Sequence, residues 1–215
     1  MSEYDEKLLK SRQTTIDRER GRMRPDAASA SRDRLPPGQS ITTKFPVLDL
    51  GYRPPIKREE FRLAVTGEIE NPVTLDWDAL TALPKTTRTL DFHCVTRWSQ
   101  YDLTWTGVEF GAIVDLVKPK PNARFVIQSG RDGYTTNVPM EDMLASDVMI
   151  AYELDGGDVP LEHGGPVRTI VPHLYAWKGS KFLNGFVFTE VDRPGFWEVR
   201  GYHNHGDPWL EERFG

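Results

Sequence analysis

Apolar and polar positions alternate through Phe61, Leu63 and Val65, and Gly67 closes the run, which predicts a strand. Asp76 stands where a helix over 77–83 would need its N-cap, and Pro84 stops that helix. Arg88, Leu90 and Phe92 predict a strand that runs into Cys94. Residues 108–117 carry apolar side chains at helical spacing and end at Lys118-Pro119. A short apolar strand is predicted over 124–128, and another over 134–138 after the Asp132-Gly133 turn. One or two helical turns follow over 139–145, then strands over 147–154, 167–171 and 186–191. Strands and helices do not alternate strictly. The pattern therefore predicts an α+β domain with a mixed sheet, not a doubly wound parallel one. No repeat recurs at solenoid period.

The chain has 215 residues, enough for one full domain, or one and a small appendage, with a real core. Its 16 prolines and 18 glycines fall mostly between the elements and predict long, ordered loops, where sites are usually built. Residues 1–40 differ in texture. They hold nine Lys and Arg against seven Asp and Glu, and all six tryptophans lie beyond them. This segment reads as a charged extension, either a mobile tail, a cover draped over its own domain, or a basic arm for an anionic partner. Residues 41–215 form the domain. The whole chain carries a net charge of −5, so the remainder carries −7. An acidic chain without a basic block is not a general nucleic-acid binder. No run reaches the ~18 apolar residues of a membrane helix. The start, MSEYDEKLLKSRQ, has no apolar export region, which makes the cytoplasm the expected compartment.

Cys94 is the single cysteine. It excludes an internal disulfide and any single-chain site built from several thiolates. It falls where a strand gives way to a loop, with His93 before it and Arg97 after it, and nearby positive charge favours the thiolate. A thiolate there is a nucleophile or a soft metal ligand, while the plain alternative is an inert buried thiol. Two further clusters are basic: Glu162-His163-Gly164-Gly165-Pro166-Val167-Arg168, and Lys178-Gly179-Ser180-Lys181. The first is a glycine turn that allows close approach, and the second sets two lysines around exposed backbone N–H groups. The P-loop spacing is absent. Basic loops in an acidic domain call for an anionic ligand. Ser129 and Arg131 are placed to reach one. His203-Asn204-His205 offers a metal pair without a third ligand of convincing spacing, and reads better as part of a C-terminal loop packed by Trp197, Tyr202 and Trp209.

Taken in order, these segments resemble a known family. Cys94 with Trp98, Trp105-Thr106-Gly107-Val108, Ser129, Asp132-Gly133-Tyr134, His163 to Arg168, Val171-Pro172 and Lys178 to Lys181 follow the sequence of the molybdopterin domain of the sulfite oxidase superfamily. Phe45-Pro46-Val47-Leu48 and the ending around Gly206-Asp207-Pro208-Trp209 are similar to its small bacterial members, which are related to the catalytic subunit of a methionine-sulfoxide reductase. The resemblance covers roughly residues 41–215.

The resemblance implies an α+β fold of mixed sheets, short helices and long ordered loops. It implies a molybdopterin cofactor whose molybdenum takes one protein cysteinate, Cys94. Thiolate and dithiolene are both soft donors, which suits that pairing. Arg168, Gly179, Ser180 and Lys181 match the positions that bind the pterin phosphate, His163 a pterin contact, and Ser129 a cofactor-contacting loop. Phe92 and His93 line the way to the cofactor. The implied activity is oxygen-atom transfer to or from a small S- or N-oxide, with Arg97 and Arg131 steering the substrate. Sulfite fits less well, because the family's active-site tyrosine has only Tyr134 and Tyr175 as candidates. At this size, a separate haem or flavin protein would exchange the electrons. Two other functions stay open: a metal-free thiol enzyme, with Cys94 as nucleophile and His93, His163 or His173 as base, and a non-catalytic cofactor-binding module.

Overall fold

The computed structural model describes residues 34–215. Most of the charged segment over 1–40 therefore lies outside the described residues. Its last part is packed against the domain: Arg34 bonds the Asp91 carboxylate at 2.6 and 2.8 Å, and Ser40 N–H donates to the Arg97 carbonyl at 3.0 Å.

Two sheets carry the chain. The first holds β1 (Ser40–Ile41), β4 (Lys85–Cys94), β5 (Trp98–Glu109), β8 (Met149–Leu154), β9 (Gly157–Asp158) and β10 (Arg168–Ile170). The second runs in the order β3 (Val73–Leu75), β2 (Leu63–Gly67), β11 (Leu183–Thr189), β6 (Phe125–Gly130) and β7 (Thr135–Pro139). Each sheet is mixed. β1 pairs β5 in parallel and β2 pairs β11 in parallel, whereas the other pairings are antiparallel. The helices are short: α1 (Trp77–Thr81), α2 (Phe110–Val117) and α3 (Met140–Met143).

Local chemistry explains the element ends. Asp76 caps α1, its carboxylate accepting from Ala79 N–H at 2.9 Å. Lys118 closes α2 in the left-handed region at φ 50°, its N–H bonded to Val114, and Pro119 prevents continuation. The helix begins two residues later than its periodicity predicts. Val108 belongs to β5, where it pairs with Lys85 on one side and Ile150 on the other and is fully buried. α1 also stops two residues short of its predicted end. Gly67 is required where it stands: its φ is +99°, and a Cβ there would lie 2.1 Å from the Phe188 carbonyl oxygen of the neighbouring strand.

A large core fills the space around the second sheet, with Phe61, Leu63, Val65, Phe110, Ile113, Val126, Phe186 and Phe188 at its centre. A second, aromatic core holds Cys94, Tyr134, Tyr175, Trp177, Trp197 and Tyr202. No helix among the described residues is long and apolar enough to cross a membrane.

Candidate functional site

Cys94 ends β4, and it pairs with Trp98 of β5 across a three-residue loop. Such a loop favours a type I turn followed by one left-handed residue. Arg97 takes that place at φ 71°, its N–H bonded to the Cys94 carbonyl at 3.1 Å. The loop thus presents the cysteine at a fixed point, with its Sγ 3.1 Å from the Thr96 hydroxyl. Gln39 holds the Cys94 carbonyl through its Nε2 at 3.0 Å, and Arg213 holds the Val95 carbonyl at 2.7 Å.

Cys94 faces a cleft of about 760 Å³, measured out to its open mouth. Both sheets contribute walls. Phe92, Cys94, Trp98 and Arg168 come from the first, while Asp132 and Tyr134 lie between β6 and β7 of the second. His163, Trp177, Gly179 and Lys181 come from the turns flanking β10. Residues 42–57, which form neither helix nor strand, run over the cleft and add Phe45, Leu48 and Asp49.

The cations of the cleft are unusual. Arg168 is 2% exposed, and it meets no carboxylate among the described residues. One guanidinium nitrogen donates to the His163 carbonyl at 2.7 Å, the charge lies over the Phe92 and Trp105 rings, and the buried Nε has no hydrogen-bond partner. Burial lowers its pKa to about 10, which leaves it charged at neutral pH. Lys181 spends its ammonium on two carbonyls, Leu48 at 2.9 Å and Glu162 at 2.8 Å. Burial, and then the Arg168 charge, pull its pKa down to about 7. His163 stacks on Phe45, and burial, then Lys181 and Arg168, lower it to about 4, so its ring is neutral. Asp132 is pushed up to about 6 by burial. A buried, uncompensated guanidinium is costly and invites an anion.

These features fit a pterin that carries a phosphate and a metal. Cys94 supplies a soft donor, Arg168 an unsatisfied buried N–H, Lys181 a second cation, and His163 a flat neutral ring. Gly179 lies so close to the first sheet that a Cβ would sit 2.4 Å from the Thr169 carbonyl.

Phe92, Cys94, His163, Arg168, Gly179 and Lys181 share the cleft. The other residues singled out in the sequence lie elsewhere. His93 points to the opposite face of β4, where it bonds Ser99 at 2.8 Å, and burial lowers it to about 4. Ser129 bonds Asn184 at 2.8 Å outside the cleft lining. Ser180 gives its N–H to Gln128 at 3.1 Å and is fully buried. Arg131 is exposed and bonds the Glu60 carbonyl at 2.6 Å. Arg97 is exposed and is not among the cleft residues. Lys178 is no anion site either, because its ammonium is buried against Glu198 at 2.7 Å. His205 bonds Glu212 at 2.9 Å and approaches Asp142, while His203 Nδ1 accepts from the His205 and Gly206 N–H groups; no group of metal-ligating residues is formed among the described residues. Phe45, Asp49, Asp132 and Trp177 were not singled out for the site. Of these, Phe45 and Asp132 carry a signal, as parts of the family-like segments Phe45 to Leu48 and Asp132 to Tyr134.

A family model described as "Oxidoreductase molybdopterin binding domain" matches residues 51–197. The chain is 42% identical over 182 residues to the "Uncharacterized oxidoreductase YuiH" of Bacillus subtilis, covering 84% of this chain and 92% of that protein. It is 29% identical over 174 residues to the "Putative protein-methionine-sulfoxide reductase subunit YedZ1" of Azospira oryzae, covering 79% of this chain and 66% of that one. It is 23% identical over 207 residues to the "Protein-methionine-sulfoxide reductase catalytic subunit MsrP" of Ralstonia nicotianae, covering 85% of this chain and 62% of that one. Among solved structures, the sulfane dehydrogenase SoxCD from Paracoccus pantotrophus shares the fold. Its TM-score is 0.60 at 21% identity, over 65% of this chain and 40% of that one.

Proposed function

Since this chain belongs to the oxidoreductase molybdopterin-binding domain family, we propose that it exchanges an oxygen atom with a small, neutral S- or N-oxide at a molybdenum held by Cys94. The bound cofactor would supply the two-electron redox chemistry. The rest falls to the protein. Cys94 gives the thiolate, while Arg168 and Lys181 hold the anionic pterin phosphate beside the Gly179 backbone. His163 and Phe92 offer flat faces to the pterin. The sheathing aromatics Tyr134, Trp177, Trp197 and Tyr202 keep water from the reacting side.

One observation carries the substrate class. Arg168 and Lys181 are the cations among the cleft residues, and the remaining charges are Asp49 and Asp132. Once the phosphate takes both cations, no further Lys or Arg among the described cleft residues is left for an anion such as sulfite. A neutral oxide meets no such deficit, and the aromatic wall around Cys94 suits its apolar substituents. Two relatives are named as reductase subunits, which supports a separate electron-transfer partner, a haem or flavin protein.

The test is anaerobic redox titration of protein made in cells that synthesise the cofactor, against sulfite, sulfoxides and N-oxides. Such protein should hold about one molybdenum per chain and respond to neutral oxides. Absence of both metal and pterin, or a response to sulfite alone, would overturn the proposal. Turnover that survives complete metal removal would favour a metal-free thiol enzyme. Of the candidate bases, His93 faces away from the cleft and His173 is engaged with Asp142 at 3.0 Å, which leaves His163, stacked on Phe45, as the one that shares the cleft with Cys94. Metal-loaded protein inert to every oxide would favour a binding module.

A further inference from the structure

We propose that Thr96 is a positioning residue that tunes the metal through the Cys94 sulfur. This rests on the proposed ligation by Cys94 and adds to it. The Thr96 hydroxyl lies 3.1 Å from Sγ. Either atom can donate while the sulfur carries its proton. A ligated thiolate has none, so the hydroxyl must then be the donor.

The contact is built into the loop. Cys94, Val95 and Arg97 are fixed by hydrogen bonds at 3.0, 2.7 and 3.1 Å to Gln39, Arg213 and the Cys94 carbonyl respectively. Those bonds leave Thr96 at the apex, exposed and lining the cleft. Its β-branch restricts χ1 and so restricts where the hydroxyl points. A hydroxyl donating to a metal-bound sulfur withdraws electron density from it. The metal then receives less charge from sulfur, and its reduced state is favoured.

Two quantities report this directly in the loaded protein: the energy of the sulfur-to-metal charge-transfer absorption, and the midpoint potential of the metal. Thr96→Val keeps the shape and removes the donor. Its absorption should move to longer wavelength and its potential should fall. Thr96→Ser should restore both toward wild type. If Thr96→Val leaves band and potential unchanged, the proposal is wrong. If it lowers only thermal stability, Thr96 is merely structural and the proposal is equally wrong. Should Thr96→Val fail to fold, Thr96→Ala is read by the same two measures. Cys94→Ser separates this failure from failure of the ligand assignment. The pterin dithiolene absorbs as well, so the band to follow is the one lost in Cys94→Ser, and a spectrum that Cys94→Ser leaves unchanged removes the cysteine from the metal. A band that disappears there yet ignores Thr96→Val removes only the role of Thr96.

Discussion

The Phe45 ring lies parallel to the His163 imidazole, 4.0 Å between centroids and 13° from coplanar. The contact joins the irregular segment over 42–57 to the turn that supports Arg168. Phe45 also meets Phe92, Trp98 and Trp105 edge-on at 5.1, 6.0 and 6.4 Å. Phe45→Ala should cost about 1 kcal/mol or more for the lost aromatic contacts. It should also free the segment to lift, so bound cofactor is lost faster on dilution. Protease cleavage within 42–57 should rise. Unchanged cofactor release and cleavage would show that Phe45 does not hold the segment down.

Gly164 has φ +101°, and a Cβ on it would stand 2.7 Å from the Lys181 Cβ and 2.9 Å from its Cα. The glycine turn thus brings the Lys181 stem into place, and its close approach is to the protein itself. Gly164→Ala should destabilise by at least about 1–2 kcal/mol from backbone strain alone. It should also weaken cofactor retention by displacing Lys181. Urea unfolding and molybdenum content together check this, and a normal value for both would refute it.

Lys181 gives a pH signature to the cofactor-free protein. Its pKa is lowered from 10.5 to about 7 by burial first and by Arg168 second. The unfolded chain therefore binds the proton more tightly between those values. Stability attributable to this group rises with pH across that window, and below about 7 its full penalty is present. The stability gap between wild type and Lys181→Met, followed from pH 6.5 to 10, should shift in favour of wild type as pH rises. A flat difference would show that the lysine does not titrate there.

His205 has the opposite sign. Its hydrogen bond to Asp142 leads the causes that raise its pKa from 6.5 to about 9, with Glu212 assisting against burial. Its contribution is therefore complete below about pH 6.5 and lost as pH rises through about 9. His205→Gln should lower the melting temperature at pH 6 and match wild type near pH 10. Equal melting temperatures at pH 6 would remove His205 from the stabilising groups.

What the sequence disclosed follows from how local each signal was. β2 and the Asp76 cap depend on neighbouring residues and could be read directly. β3 has only three residues. The end of β5 is hidden because Val108, apolar and next to a helix, fits either period. The basic loops pointed to an anion, but composition could not sort their members. Lys178 is neutralised by Glu198, 20 residues away, whereas Arg168 meets no carboxylate among the described residues. Arg97 and Arg131 stand near the right motifs, yet both are exposed and neither is among the cleft residues, and Arg131 bonds the Glu60 carbonyl instead. Phe45 reaches His163 across more than a hundred residues, a contact no local pattern records.

The two sheets share no disulfide, and Cys94 offers none within the chain. Cys94 stands at the end of a strand of the first sheet, and Lys181 two residues before β11 of the second. Any single group held by both is a staple between the sheets, fastened only in the folded state. By mass action such a group would add about 4 kcal/mol when its free concentration is a thousand times its Kd. The lifetime of this chain in a cell would then follow the supply of that group, and starved cells would clear it.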